Sequence, residues 1–159
     1  MKIEMRALDS LKEYGKNPRV IPPAAIEAVA KSLKAFGWRQ PIVVDAEGVI
    51  IVGHARAKAA WSLGMTEVPV HVANLTPAQA KAYRIADNQT ATLAAFDDDL
   101  LAAELADLKA LDFDLDSLGF DADELAEKMA GPVPVDLSPS HHDDVDHIRC
   151  PKCGFEFAL

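Results

Sequence analysis

Val49-Ile50-Ile51-Val52-Gly53-His54-Ala55-Arg56-Ala57-Lys58-Ala59-Ala60 is the stretch on which the reading of this chain turns. Four consecutive β-branched residues ask for a buried strand, and the alanine-rich run beyond Gly53 asks for a helix. The glycine between them lets the backbone turn tightly from one into the other. A helix that begins this way presents free N–H groups and the positive end of its dipole, a place for an anion. Arg56 and Lys58 add positive charge in the first turns, where the dipole ordinarily favours acidic residues, and a bound phosphate would offset that repulsion. The stretch lacks a full glycine-rich nucleotide fingerprint, and a plain strand-to-helix turn with solvated basic residues also accounts for it.

Outward from this stretch the periodicity is clear. A strand is expected at residues 41–45, joined by Ala46, Glu47 and Gly48 to the strand at 49–52. The helix opened by Gly53 ends near Leu63, with Gly64 as its stop. Upstream, Ile26, Val29, Ala30, Leu33 and Phe36 share one face of a helix over 23–36, with Pro22 and Pro23 at its start and Gly37 at its end. A short first strand is expected at 2–6. Downstream, a strand over 68–72 leads to a helix whose capping box is Thr76 and Gln79, reaching about Ala86 and leaving Asp87-Asn88-Gln89 at its C-terminal end. The fold class is therefore α+β, a small mixed β-sheet packed by helices.

Charge divides the chain. Residues 1–93 hold twelve Lys and Arg against eight Asp and Glu, whereas residues 94–159 hold four against seventeen. Phosphate chemistry belongs to the first part, because the second repels polyanions. Residues 94–130 read as an acidic helical extension: Asp97 caps a segment with Leu100, Leu101, Leu105 and Leu108, and Asp121 with Glu124 forms a capping box. Residues 131–146, with three prolines and His141-His142, read as a linker, and 147–159 as a tail. No apolar run is long enough for a membrane span, and the charged first residues are unlike a signal peptide. A cytoplasmic protein without membrane partners is expected, and two cysteines are too few for a disulfide framework.

Two further spots carry polar groups that the fold does not require. Asn17-Pro18-Arg19 is a loop holding a guanidinium, and Asp87-Asn88-Gln89 places an acid against the unfavourable end of a helix dipole. An acid beside an amide suits a magnesium ion bridging phosphates, although a helix stop explains it as well.

In order, Asn17-Pro18-Arg19, Gln40-Pro41-Ile42-Val43-Val44, Gly53-His54-Ala55-Arg56-Ala57-Lys58-Ala59, Val68-Pro69-Val70 and Ala86-Asp87-Asn88-Gln89-Thr90 resemble the boxes of the ParB N-terminal domain, the ParB/sulfiredoxin-like fold. The resemblance spans residues 1–92. It implies a triphosphate cradle at Gly53, His54, Ala55 and Arg56, with Lys58 next, Asn17 and Arg19 alongside, and a magnesium ion at Asp87 and Asn88. The family's Gly-Glu-Arg-Arg box has His54 and Ala55 in its second and third places here, and the glutamate before its asparagine is shortened to Asp87. Fewer charged donors remain for the phosphates. Sulfiredoxin chemistry is excluded, because its thiol would stand where His54 stands and no cysteine precedes Cys150. The segment 111–129 resembles the one found after this domain in phage and prophage proteins, including versions joined to DNA methyltransferases. Partition proteins place a helix-turn-helix there; residues 94–130 are too few and too acidic for one, so specific duplex readout by this chain alone is not expected. Arg19, Lys31, Lys34, Arg39, Arg56, Lys58, Lys81 and Arg84 are the available phosphate contacts.

Cys150-Pro151-Lys152-Cys153-Gly154 has the form of half a zinc ribbon. His147, His142 or His141 would complete the four ligands, or a second copy in a homodimer would; a tail with two free thiols is the plainer alternative. Three functions are compatible with these features. The first is a ParB-like phage or mobile-element accessory protein that binds a nucleoside triphosphate with magnesium and works on or beside DNA, with a methyltransferase or packaging component as partner. The second is a small-molecule kinase acting on a free amino acid's hydroxyl, with His54 or Asp87 as catalytic candidates. The third is a non-catalytic interaction module. No clustered second carboxylate accompanies Asp87 in the basic half, so nuclease machinery is not evident.

Overall fold

The computed structural model describes residues 2–130 and, as backbone, 147–149 and 156–158. Four strands form one mixed sheet in the order β1-β4-β2-β3: β1 Glu4–Ala7, β2 Ile42–Val44, β3 Ile50–Val52 and β4 Glu67–Val72. The β2–β3 hairpin turns through Gly48 at φ 80°. Helix α2 (His54–Ser62) then carries the chain over to β4, which lies parallel to β2 and antiparallel to β1. The α+β class expected from periodicity is the observed one.

Both faces of the sheet are covered. Leu8, Ile42, Val44, Ile50, Val68 and Val70 pack with Ala57 and Ala60 of α2. On the other side, Ile51 and Val52 pack with Ala80 of α3 (Pro77–Thr90). This two-sided burial explains why residues 49–52 are continuously apolar rather than alternating. Ala30 and Leu33 of α1 (Pro23–Phe36) meet Ala59 of α2, so alanines let the two helices approach closely. Helix α3 has the capping box read from Thr76 and Gln79 but runs to Thr90, further than expected. In its last turns Asn88 Nδ2 donates to the Arg84 carbonyl at 2.7 Å and Thr90 Oγ1 to that of Ala86 at 2.8 Å.

Beyond the sheet lie α4 (Asp98–Ala110), a 3-10 turn (Leu115–Leu118) and α5 (Ala122–Met129). Asp97 caps α4, and the Asp121–Glu124 box caps α5. Leu105 is 1% exposed. Phe113 stacks on Phe36 of α1 with centroids 5.9 Å apart, and Lys31 reaches Asp116 at 3.5 Å. Strands β5 (His147–Arg149) and β6 (Glu156–Ala158) pair antiparallel, with Arg149 opposite Glu156. The expected linker at 131–146, and His141, His142, Cys150 and Cys153, lie outside the described residues; of His147 only the backbone is described.

Candidate functional site: a cleft at the start of helix α2

Gly53 is the N-cap of α2 and sits at φ 98°, ψ 24°, in the left-handed region. A side chain there would be strained, and its Cβ would lie 3.3 Å from Arg56 Nη1 and 3.4 Å from Ile42 Cγ1. Only glycine makes this turn cleanly. Among the described residues no side chain caps α2, so its first-turn amides keep their donor capacity. The turn opens onto a cleft of about 330 Å³ lined by Asn17, Arg19, Gly53, His54, Ala55, Arg56, Asp87 and Asn88. Three segments far apart in sequence meet here. Val20, Ile21, Val29 and Ile51 add an apolar wall. The sequence-derived phosphate and magnesium residues are thus gathered, with one exception.

That exception is Lys58, which does not line the cleft and pairs with Glu13 at 3.0 Å. Two residues turn an α-helix by about 200°, so Arg56 and Lys58 point to opposite sides. Arg56 lines the cleft while donating to the Pro41 carbonyl at 3.1 Å and to Gln40 Oε1 at 2.6 Å. Burial lowers its pKa, and the Asp87 carboxylate opposes that shift. Among the described residues Asp87 is the one carboxylate in the lining.

His54 is buried, and its Nε2 has no partner among the described residues. Its pKa is lowered by burial and then by the Arg84 and Lys58 charges, with Glu13 acting the other way. The imidazole is therefore neutral at pH 7. Arg84, expected to be free for DNA phosphates, is not. At 3% exposure it donates from Nη2 to the Ile50 carbonyl at 3.1 Å, and its guanidinium lies 3.6 Å over the Tyr14 ring. Nothing in the sequence singles out Tyr14, because a lone tyrosine in a loop gives no signal.

Asp87 with Asn88 fits a magnesium ion that arrives on a polyphosphate, since that ion needs few protein ligands. Among the described residues no three His, Cys, Asp or Glu side chains gather as a metal site of their own.

The architecture is that of an α+β domain with a four-stranded mixed sheet and its cleft at the turn from β3 into α2. The model of the ParB N-terminal domain matches residues 2–89, and the chain belongs to that family. The ParB-like nuclease domain-containing protein YnaK of Escherichia coli strain K12 is 40% identical over 72 residues, 45% of this chain and 83% of that protein. An uncharacterized protein of Acidianus two-tailed virus is 29% identical over 68 residues, 42% of this chain and 21% of the viral one. Among solved structures, C-terminally truncated chromosome-partitioning protein ParB from Caulobacter crescentus, complexed with CTP-gamma-S, aligns at a TM-score of 0.69. It is 20% identical, with 81% of this chain and 77% of that one covered.

A second model, the ParB-methyltransferase HTH domain, matches residues 99–153. It corrects the expectation that no helix-turn-helix follows the first domain. Acidity alone does not argue against one, because a helix-turn-helix is defined by how its helices pack; α4 and α5 both lie within the matched residues. Among the described residues no helix is long and apolar enough to cross a membrane.

Proposed function

We propose that the cleft binds the phosphates of a nucleoside triphosphate with its magnesium ion, and that the chain is a ParB-like accessory protein acting on or beside DNA. The observation that carries this reading is the convergence of Arg19, Arg56, Asp87 and Asn88 on the uncapped start of α2. Anions are favoured there by free amides and two guanidiniums. The CTP-gamma-S held by the Caulobacter ParB supports the same ligand class. Arg19 and Asn17 would close over the phosphates from the loop side.

The ParB-methyltransferase match supports a methyltransferase as partner. The setting proposed with it is phage or mobile-element DNA modification in the cytoplasm. The tail is proposed as half a zinc ribbon, since β5 and β6 flank Cys150 and Cys153 in sequence and pair with each other. Its remaining ligands would be His141, His142 or His147, or the cysteines of a second copy in a homodimer. Metal analysis of untagged protein reads this directly: one zinc per chain marks the histidines, half a zinc the dimer, and none overturns the tail assignment.

The test of the cleft is thermal shift with CTP, GTP, ATP and UTP, each with and without magnesium. A magnesium-dependent rise in Tm with at least one nucleotide is expected. No rise with any of the four contradicts the reading.

A further inference from the structure

Arg84 is a charged side chain where packing alone would favour methionine. It is buried, its Nε has no partner among the described residues, and a desolvated guanidinium is costly unless its geometry is used. Its contacts reach two walls of the cleft. Through its carbonyl it accepts from Asn88 Nδ2 at 2.7 Å, on the α3 wall. Through its guanidinium it lies 3.6 Å over Tyr14, and the Tyr14 carbonyl accepts from the Asn17 amide at 3.0 Å. Asn17 Oδ1 in turn accepts from the Arg19 amide at 3.2 Å. The path from Asn88 to Arg19 is continuous. Ahead of it the loop is tied down by the Lys12–Gly48 and Ile50–Lys12 backbone bonds at 2.9 Å each, and by Glu13 on Lys58. After Tyr14, the only bonds that the loop makes up to Pro22, among the described residues, are its own.

We infer that Arg84 is a positioning residue which, through its stack on Tyr14, fixes the loop carrying Asn17 and Arg19 against the helix carrying Asp87 and Asn88. The mechanical coupling stands on these contacts alone; its effect on ligand affinity rests on the phosphate reading of the cleft. A cation over an aromatic face is directional and strengthens when desolvated, so this one contact sets the height of the loop over the cleft. Tyr14→Phe keeps the ring face and Tyr14→Leu removes it, while Arg84→Met keeps the length of the buried side chain and removes the charge.

Native-state trypsin cleavage after Lys16 and Arg19 reads the coupling without any ligand. Tyr14→Leu and Arg84→Met are expected to speed that cleavage about tenfold, a free-energy change in loop opening of about 1.4 kcal/mol. Tyr14→Phe should match wild type, and cleavage after Lys31 and Lys34 in α1 should stay unchanged in Tyr14→Leu. Unchanged loop cleavage in both Tyr14→Leu and Arg84→Met overturns the inference, as does equal acceleration in α1. Titration with inorganic tripolyphosphate reads the consequence: Tyr14→Leu should weaken binding about tenfold in the wild-type background and less than about twofold once Arg19→Ala is present. Equal losses in the two backgrounds contradict positioning through Arg19. Wild-type protein that binds no tripolyphosphate, with the cleavage pattern as expected, overturns the cleft reading and supports the coupling.

Discussion

The sheet domain and the acidic extension use the same ingredients, short helices and apolar contacts, to opposite electrostatic ends. In the sheet domain basic side chains are drawn inward: Arg84 is buried, Arg56 is hydrogen-bonded to the turn before β2, and His54 has an orphaned nitrogen. In the extension charge stays on the surface, and Leu105 is its one fully buried large side chain among the described residues. Desolvated polar groups are expensive and therefore informative about function. Solvated carboxylates inform about partners and solubility. The site belongs to the first region for that reason, beyond the difference in net charge.

The sharpest way to separate the regions is Leu105→Ala. Removing a fully buried leucine costs about 2–5 kcal/mol, and here the loss should fall on α4 and α5. Circular dichroism should show lost helix while the sheet domain still melts near its original temperature; a common loss of both would make them one cooperative unit. Gly53→Ala is the counterpart in the sheet domain. A non-glycine residue at φ 98° costs about 1–3 kcal/mol, and chemical denaturation should register it together with loss of nucleotide binding.

Protonation of His54 gives a third, pH-dependent contrast. Its folded pKa is lowered by burial, so the unfolded chain binds the proton more readily. The stability contributed by the neutral ring is full above about pH 6.5 and is lost as the pH falls from there toward the lowered folded value. His54→Gln should flatten that decline in the sheet domain, and an unchanged pH profile would contradict the assignment. The smallest effect is expected at Lys31–Asp116, an exposed pair joining the two regions. Lys31→Ala should cost about 0–1 kcal/mol by denaturant titration.

Much of this is legible in the sequence because local rules act locally. The Thr76–Gln79 box, the apolar face of α1 and the glycine turn at Gly53 each arise from residues within one or two turns of each other. The convergence of Asn17, Arg56 and Asn88 is readable only through the order of family boxes, since periodicity carries no information on contacts 70 residues apart. The stack of Arg84 on Tyr14 is hidden for the same reason. Lys58 falls outside the cleft because two basic residues close in sequence are not neighbours in space once helical rotation separates them. The match to the ParB-methyltransferase HTH domain is hard to anticipate from residues 94–130, because their charge is conspicuous and their packing is not.

Isothermal titration of wild type and Arg56→Ala with the nucleotide selected by thermal shift, in magnesium, tests the central claim most directly. Arg56 also anchors Gln40 and Pro41, so the variant's fold is checked first by its melting curve. Loss of a charge-assisted phosphate contact weakens binding by about 1.5–3 kcal/mol, or roughly ten- to more than a hundredfold in Kd. A folded Arg56→Ala protein that binds the nucleotide with wild-type affinity would contradict the account.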